Sequence, residues 1–158
     1  MKKKYDVYVA GPFFNNSQLA EMASIEAEFS NMGLSMFRPR LDSVNLSEDN
    51  SPEARKKAFE DDVSAIEQSR FIFANTRDKD PGTLFEVGYA YKAGVPIVGF
   101  ASGLPKGAPF NIMLAGAMVE VFTSIYELQD FIDMFDSTED LLEHVAEKAP
   151  GSYTGTVQ

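Results

Sequence analysis

Cysteine and tryptophan are missing from this 158-residue chain, and histidine occurs once, at His144. Without cysteine there is no disulfide framework, no thiolate nucleophile and no Cys-ligated zinc or iron–sulfur cluster. One histidine excludes a multi-histidine metal centre within the chain and makes a Ser-His-Asp triad a poor expectation. Basic residues are scarce too: 14 Lys+Arg face 24 Asp+Glu, a net charge of −10. Nucleic-acid binders need a basic face to neutralise phosphates. The one basic cluster here is Lys2-Lys3-Lys4, directly before a strand, and residues 120–148 hold nine acids against Lys148 alone. Neither nucleic acid nor an anionic membrane is therefore expected as a partner. No stretch nears the roughly 18–20 apolar residues that span a bilayer. The N-terminal residues also lack the apolar run of a secretory leader, so a cytoplasmic protein is expected.

What is present suits a single globular domain over residues 1–158, with 44% apolar and 24% charged residues. Short apolar runs alternate with helical periodicity. Tyr5–Ala10 reads as a strand stopped by Gly11-Pro12, and Asn15-Asn16-Ser17 supplies cap chemistry for a helix ending near Gly33. Leu34–Arg38 reads as a second strand, 40–52 as a polar loop, and 52–68 as a helix with proline at its start. Phe71–Ala74 and Ile97–Phe100 are continuous apolar runs, the mark of strands buried on both faces. Helices are expected over 83–93, near 109–116, from Ile125 to Phe135 and over 138–148, with a fifth strand at 118–122 and a loose tail over 150–158. This alternation predicts an α/β fold, a five-stranded parallel sheet flanked by helices in a flavodoxin-like or Rossmann-like layout. Ligands of such sheets sit beyond the carboxyl ends of the strands. That singles out loops 11–16, 38–52, 75–82 and 101–111.

Those loops contain neither GxGxxG nor a Walker A sequence. Gly11-Pro12-Phe13-Phe14 puts two aromatic rings where polar residues are usual; they either pack down on the core or wall a flat ligand. In the helix 52–68, Phe59, Val63 and Ile66 mark an apolar stripe with Asp62 at its edge and Asp61 pointing elsewhere. Asp62 is either a partly exposed charge or a polar group aimed at a ligand. Thr83-x-x-Glu86 has the spacing of a capping box, in which Glu86 would bond back to its own helix start. Against that reading, Leu84, Phe85, Val87 and Tyr89 surround the carboxylate, Gly88 leaves space beside it, and the helix dipole favours its ionised form. An ionised carboxylate in a tight pocket near other acids, such as Asp80, is what a glycosyl-transfer nucleophile requires. Asn111 reads as a cap of the helix after strand four, Arg38 and Arg40 as a solvated pair, and His144 as a surface residue.

Taken together, Tyr8-Val9-Ala10-Gly11-Pro12-Phe13-Phe14, Glu60-Asp61-Asp62, Asp80-Pro81-Gly82-Thr83 with Glu86-Val87-Gly88-Tyr89-Ala90, and Asn111-Ile112-Met113 resemble the nucleoside 2-deoxyribosyltransferase family over about residues 5–122. The resemblance implies transfer of 2-deoxyribose from one nucleobase to another through a covalent glycosyl-enzyme, in nucleotide salvage. On that resemblance Glu86 is the nucleophile, Tyr8 positions it, and Asp62 and Asp80 handle the proton of the base. Phe13 and Phe14 line the base site, with Gly11, Gly82 and Met113 among the substrate-binding positions. Asn111 would reach the sugar in a neighbouring subunit, so a homo-oligomer, dimer or hexamer, is implied. Deoxynucleosides and free nucleobases would be the small-molecule partners, and no cofactor or metal is implied. One departure is the end of the chain: family members often end near an aromatic residue whose terminal carboxylate reaches the site, whereas this chain runs on through Ser152–Gln158.

Two other readings compete. A hydrolase of 2′-deoxynucleoside 5′-monophosphates would need phosphate contacts, for which Arg38, Arg40 and Lys106 are the candidates. A receiver-like module would need an acidic pair after strand one and an aspartate after strand three, where this chain has Gly-Pro-Phe-Phe and Asn75-Thr76.

Overall fold

The computed structural model describes residues 2–158. Strands and helices alternate as β1 (Tyr5–Ala10), α1 (Asn16–Met32), β2 (Met36–Phe37), α2 (Pro39–Asp42), α3 (Pro52–Glu67), β3 (Ser69–Asn75), α4 (Pro81–Ala93), β4 (Ile97–Phe100), α5 (Ile112–Ala117), β5 (Glu120–Phe122), α6 (Ile125–Asp133) and α7 (Thr138–Glu147). The five strands are all parallel, in the order β2-β1-β3-β4-β5. The fold is thus α/β, with helices on both faces of the sheet as the alternation predicts. The chain runs outward in opposite directions from β1 and β3, which opens a crevice at their carboxyl ends. Among the described residues no helix is long and apolar enough to cross a membrane.

Strand alternation decides which side chains lie under which helices. Val7 and Val9 of β1, with Phe71 and Phe73 of β3, face a core built with Met22, Ile25 and Phe29 of α1 and with residues of α6 and α7. Tyr8 and Ala10, with Ile72 and Ala74, face the opposite core, shared with Ala65 and Ile66 of α3 and Val87 and Ala90 of α4. Each fully buried Phe or Ile contributes about 1.5–3 kcal/mol. One consequence reaches the site: Tyr8 is held under α3 and α4 by the same register, Tyr8 opposite Ile72 and Phe37, that builds the core.

Several boundaries differ from expectation, each for a physical reason. Only Met36 and Phe37 of the second strand pair with β1, and Pro39 starts the short helix α2 inside a stretch expected to be loop. Helix α4 begins at Pro81, because Asp80 caps it by accepting from the Thr83 N–H at 2.9 Å and the Thr83 hydroxyl at 2.8 Å. On α3 the buried residues are Ala54, Ala58, Ala65 and Ile66, while Phe59 is exposed and leans on Phe85. His144, expected at the surface, keeps a partly exposed side chain whose ring also rests against Phe131 and Phe135. The tail is not loose at its end: the Phe110 N–H donates to the Thr156 carbonyl, the Gln158 N–H to Phe110 and the Ile112 N–H to Gln158.

Two glycines differ sharply in what a methyl group would meet. At Gly11 it would lie 2.5 Å from Met22 Sδ and 2.9 Å from Asn75 Cβ; at Gly88 it would meet nothing within 4 Å. Gly88 therefore does not make room for a neighbour. Urea unfolding should show Gly11→Ala destabilised by about 1–3 kcal/mol through overpacking. The same measurement should show Gly88→Ala stabilised by about 0.5–1 kcal/mol, the ordinary helix-interior gain. Equal effects at the two positions would contradict this packing.

Candidate active site

Three side chains from three elements meet beneath the crevice. Tyr8 rises from β1, fully buried, its ring stacked on Phe37 with centroids 5.5 Å apart. Its hydroxyl donates to Glu86 Oε2 across 78 residues of sequence. Glu86 lies at the edge of the buried stripe Thr83, Val87 and Ala90 of α4 and is itself half-buried. The capping-box alternative fails, because Asp80 performs the capping and Glu86 faces Tyr8 instead of its own helix start. Among the described residues Oε1 of Glu86 carries no hydrogen bond, so one oxygen is held and the other is unengaged.

Asp62 is the third member. It stands one turn from Ala58 and one from Ile66, within the buried side of α3, while Asp61 turns away to pair with Lys57 at 2.6 Å. Asp62 Oδ1 is enclosed without a hydrogen-bond partner, and so is the Ser43 hydroxyl oxygen from the segment after α2. An unpaired buried polar atom is costly, about 1–3 kcal/mol. The two lie side by side, so a turn of the Ser43 hydroxyl lets it donate to the Asp62 carboxylate, which it holds down against the effect of burial.

Burial governs the electrostatics. The Glu86 carboxyl is pushed up to about 8 by burial, against the lowering effect of the Tyr8 hydrogen bond and with further upward pressure from Asp62 and Asp80. The helix dipole does not keep Glu86 ionised: the residue is sixth in α4, beyond the first turn where that field acts. The Asp62 carboxyl rises to about 6, again through burial, opposed by the Ser43 hydroxyl and helped by Asp61. Tyr8 is driven far above the usual phenol range by burial and then by the charges of Glu86 and Asp62, so it remains a donor at every pH of interest.

The remaining predicted residues fall around this centre. Phe13 and Phe14 stack on each other with centroids 4.8 Å apart, Phe13 part-buried and Phe14 70% exposed. They form an aromatic ledge and do not sink into the core. Gly11 is buried and packed from inside by Met22 and Asn75; Gly82 is exposed beside the Asp80 carboxylate. Asn111 caps α5, accepting from Met113 N and Leu114 N, and Met113 is 78% exposed. Asn111 and Met113 line a separate cavity of about 870 Å³ with Leu84, Phe110, Arg77 and Gln158. Leu84 stands about 200° from Glu86 around α4, and neither Glu86, Tyr8 nor Asp62 lines that cavity. Within one chain, then, Tyr8, Asp62 and Glu86 come together, Asp80 abuts them at the helix start, and Asn111 and Met113 do not join. Ser43 and Phe37 belong to the cluster without having stood out in the sequence; only the general expectation about loop 38–52 pointed toward Ser43.

The solved structure of a 2-deoxyribosyltransferase from the psychrotolerant bacterium Bacillus psychrosaccharolyticus superposes with a TM-score of 0.72 at 25% identity, covering 92% of this chain and 98% of that one. A conserved protein from Enterococcus faecalis V583 shares the fold, with a TM-score of 0.54 at 21% identity over 89% of this chain and 96% of the other. No curated protein matches the sequence. The profile of the family described as nucleoside 2-deoxyribosyltransferase matches residues 7–128. That stretch takes in Tyr8, Asp62, Asp80, Glu86 and Asn111, and this chain belongs to the nucleoside 2-deoxyribosyltransferase family.

Proposed function

We propose that this enzyme moves 2-deoxyribose between nucleobases through a covalent glycosyl–Glu86 intermediate. The observation that carries the reading is the Tyr8–Glu86 hydrogen bond, which holds one carboxylate oxygen and leaves the other directed to attack. Ionised Glu86 attacks C1′ of the deoxynucleoside as the C1′–N bond breaks, and the bonding electrons leave with the base. Asp62 gives that base a proton. The second base then attacks C1′ from the face the first one left, displaces Glu86 and returns its proton to Asp62. Two inversions restore the original configuration. Without a 2-hydroxyl the sugar reaches an oxocarbenium-like transition state more readily, and general acid help supplies about 10²–10⁴-fold. Asp80 Oδ2 already accepts two hydrogen bonds at the helix start, whereas burial lifts the Asp62 carboxyl to about 6 with only the Ser43 hydroxyl beside it, which favours Asp62 as the proton carrier. The exposed aromatic ledge of Phe13 and Phe14 suits stacking of a base.

Two of the three phosphate-contact candidates of the monophosphate-hydrolase alternative are engaged elsewhere, Arg38 with Asp42 at 3.3 Å and Arg40 with buried Glu26 at 2.7 Å, which leaves Lys106 alone to serve it. In this reading the enzyme serves nucleotide salvage in the cytoplasm, where free bases and nucleosides meet. It works as a homo-oligomer in which Asn111 and Met113, remote from Glu86 in their own chain, reach a neighbour's sugar site. The reading assigns no resident cofactor or metal.

Incubating thymidine or deoxyinosine with adenine and separating the products should reveal a new deoxynucleoside and little free sugar. Glu86→Ala should reduce this exchange to background; near wild-type exchange would remove Glu86 from the nucleophile role. Tyr8→Phe, which takes a hydrogen bond from a carboxylate, should slow exchange by about 10–100-fold.

The acid required in protonated form titrates near 6 and the nucleophile required ionised near 8. The productive state, Glu86 ionised with Asp62 protonated, is then on the order of 1% of the enzyme near pH 7. A plot of kcat/KM against pH should be bell-shaped with its maximum between about 6 and about 8. A flat profile would contradict these assignments. Stability follows the same protons. Folded Glu86 holds its proton above the unfolded value, so folding is favoured more below that value and the benefit is lost as pH rises through about 8. Glu86→Gln should therefore lose less stability than the wild type between pH 5 and pH 8.

Mixing inactive Glu86→Ala with inactive Asn111→Ala chains should restore part of the exchange, since mixed oligomers contain intact sites. Failure to restore any activity, with both variants oligomeric, would overturn the shared-site assignment.

A further inference from the structure

Gln18 is a buried amide, 6% exposed, at a position where the chemistry above makes no use of it. It lies on the first turn of α1, and both ends of its side chain are engaged. Its carbonyl oxygen accepts from the Phe14 N–H at 2.8 Å, and its amide nitrogen donates to Asp78 Oδ2 at 2.8 Å. The first bond fixes the aromatic ledge. The second reaches a tight turn in which Asp78 and Lys79 both hold positive φ, 58° and 52°, directly before Asp80. Non-glycine residues take that conformation rarely, and it persists only when surrounding contacts demand it. Arg77 flanks the same turn, bonded to Ser17 Oγ at 2.7 Å and facing Glu21 at 3.7 Å and Asp78 at 3.5 Å.

We propose that Gln18 is a positioning residue that ties the Phe13–Phe14 ledge to the Asp78–Asp80 turn and thereby sets where a base is held relative to Glu86. This deepens the deoxyribosyl-transfer reading and rests on it. The tie is mechanical: one planar amide spans two loops that close the crevice between β1 and β3, so neither moves without the other. Glu86 and Tyr8 are not in its path, since their bond runs between β1 and α4. Loss of the tie is therefore felt in capture of the base more than in the chemical step.

The test combines amide exchange with kinetics. In Gln18→Leu, the Phe14 amide and the Lys79 amide, which closes the turn onto the Thr76 carbonyl, should both exchange about tenfold faster, while β3 amides stay unchanged. The KM for the acceptor base should rise about tenfold with kcat within about twofold, a split that general loss of stability does not produce. Should Gln18→Leu not fold, Asp78→Gly removes the exposed end of the tie at a position suited to glycine, and Asp78→Asn, which keeps an oxygen acceptor, should behave as wild type. Faster exchange at Phe14 with Lys79 unchanged would overturn the coupling. Faster exchange at both with KM unchanged would overturn the positioning role. A wild-type enzyme that moves no deoxyribose would instead sink the transfer reading and this residue's part in it, while the amide data still decide whether the loops are coupled.

Discussion

The hydrogen bond from Tyr8 to Glu86 is the constraint around which this molecule is arranged. Burying a carboxyl group without a partner is costly, and the partner of Glu86 comes from the middle of the sheet. The tyrosine has to lie on the α3–α4 side of β1, so Val7 and Val9 go to the other side. The glutamate has to sit on the flank of α4 nearest β1, so α4 must start where Asp80 and Pro81 start it. Core register, helix start and site geometry are thus one decision.

Burial also explains why this carboxylate cluster differs from an ordinary acidic surface. The chain is rich in acids, and most of them are solvated. At Asp62 and Glu86 the surroundings instead penalise charge, which separates two chemically similar groups by about two pH units in proton affinity. In the proposed reaction, this places the proton on Glu86, the group that must give it up before attack.

Much of this was legible from residue order. The runs at 71–74 and 97–100 could only be two-sided strands, and the alternation around them left few topologies. The helical stripe put Asp62 at the edge of the buried side of α3, and only the family resemblance joined it to Glu86; the stripe itself is built differently, with Ala54 and Ala58 facing inward and Phe59 outside. The start of α4 was missed because Thr83-x-x-Glu86 and Asp80-Pro81 are competing signals, and proline at the first helical position was the better one. Other features were invisible because their partners are remote in sequence. Gln18 meets Asp78 sixty positions away, the Ser43 hydroxyl lies beside Asp62 of the next helix, and the end of the chain is tied to Phe110. No periodicity encodes such pairings.

The sheet ends on one side in a strand of two residues and on the other in a strand of three. Such stubs offer almost no row of free amides and carbonyls for another chain to extend, and short borders of this kind guard parallel sheets against fibrous self-pairing. Any assembly of this chain therefore has to be built from helix flanks and loops, which is also where its uncovered apolar side chains, Phe59, Phe85 and Met113 among them, are found.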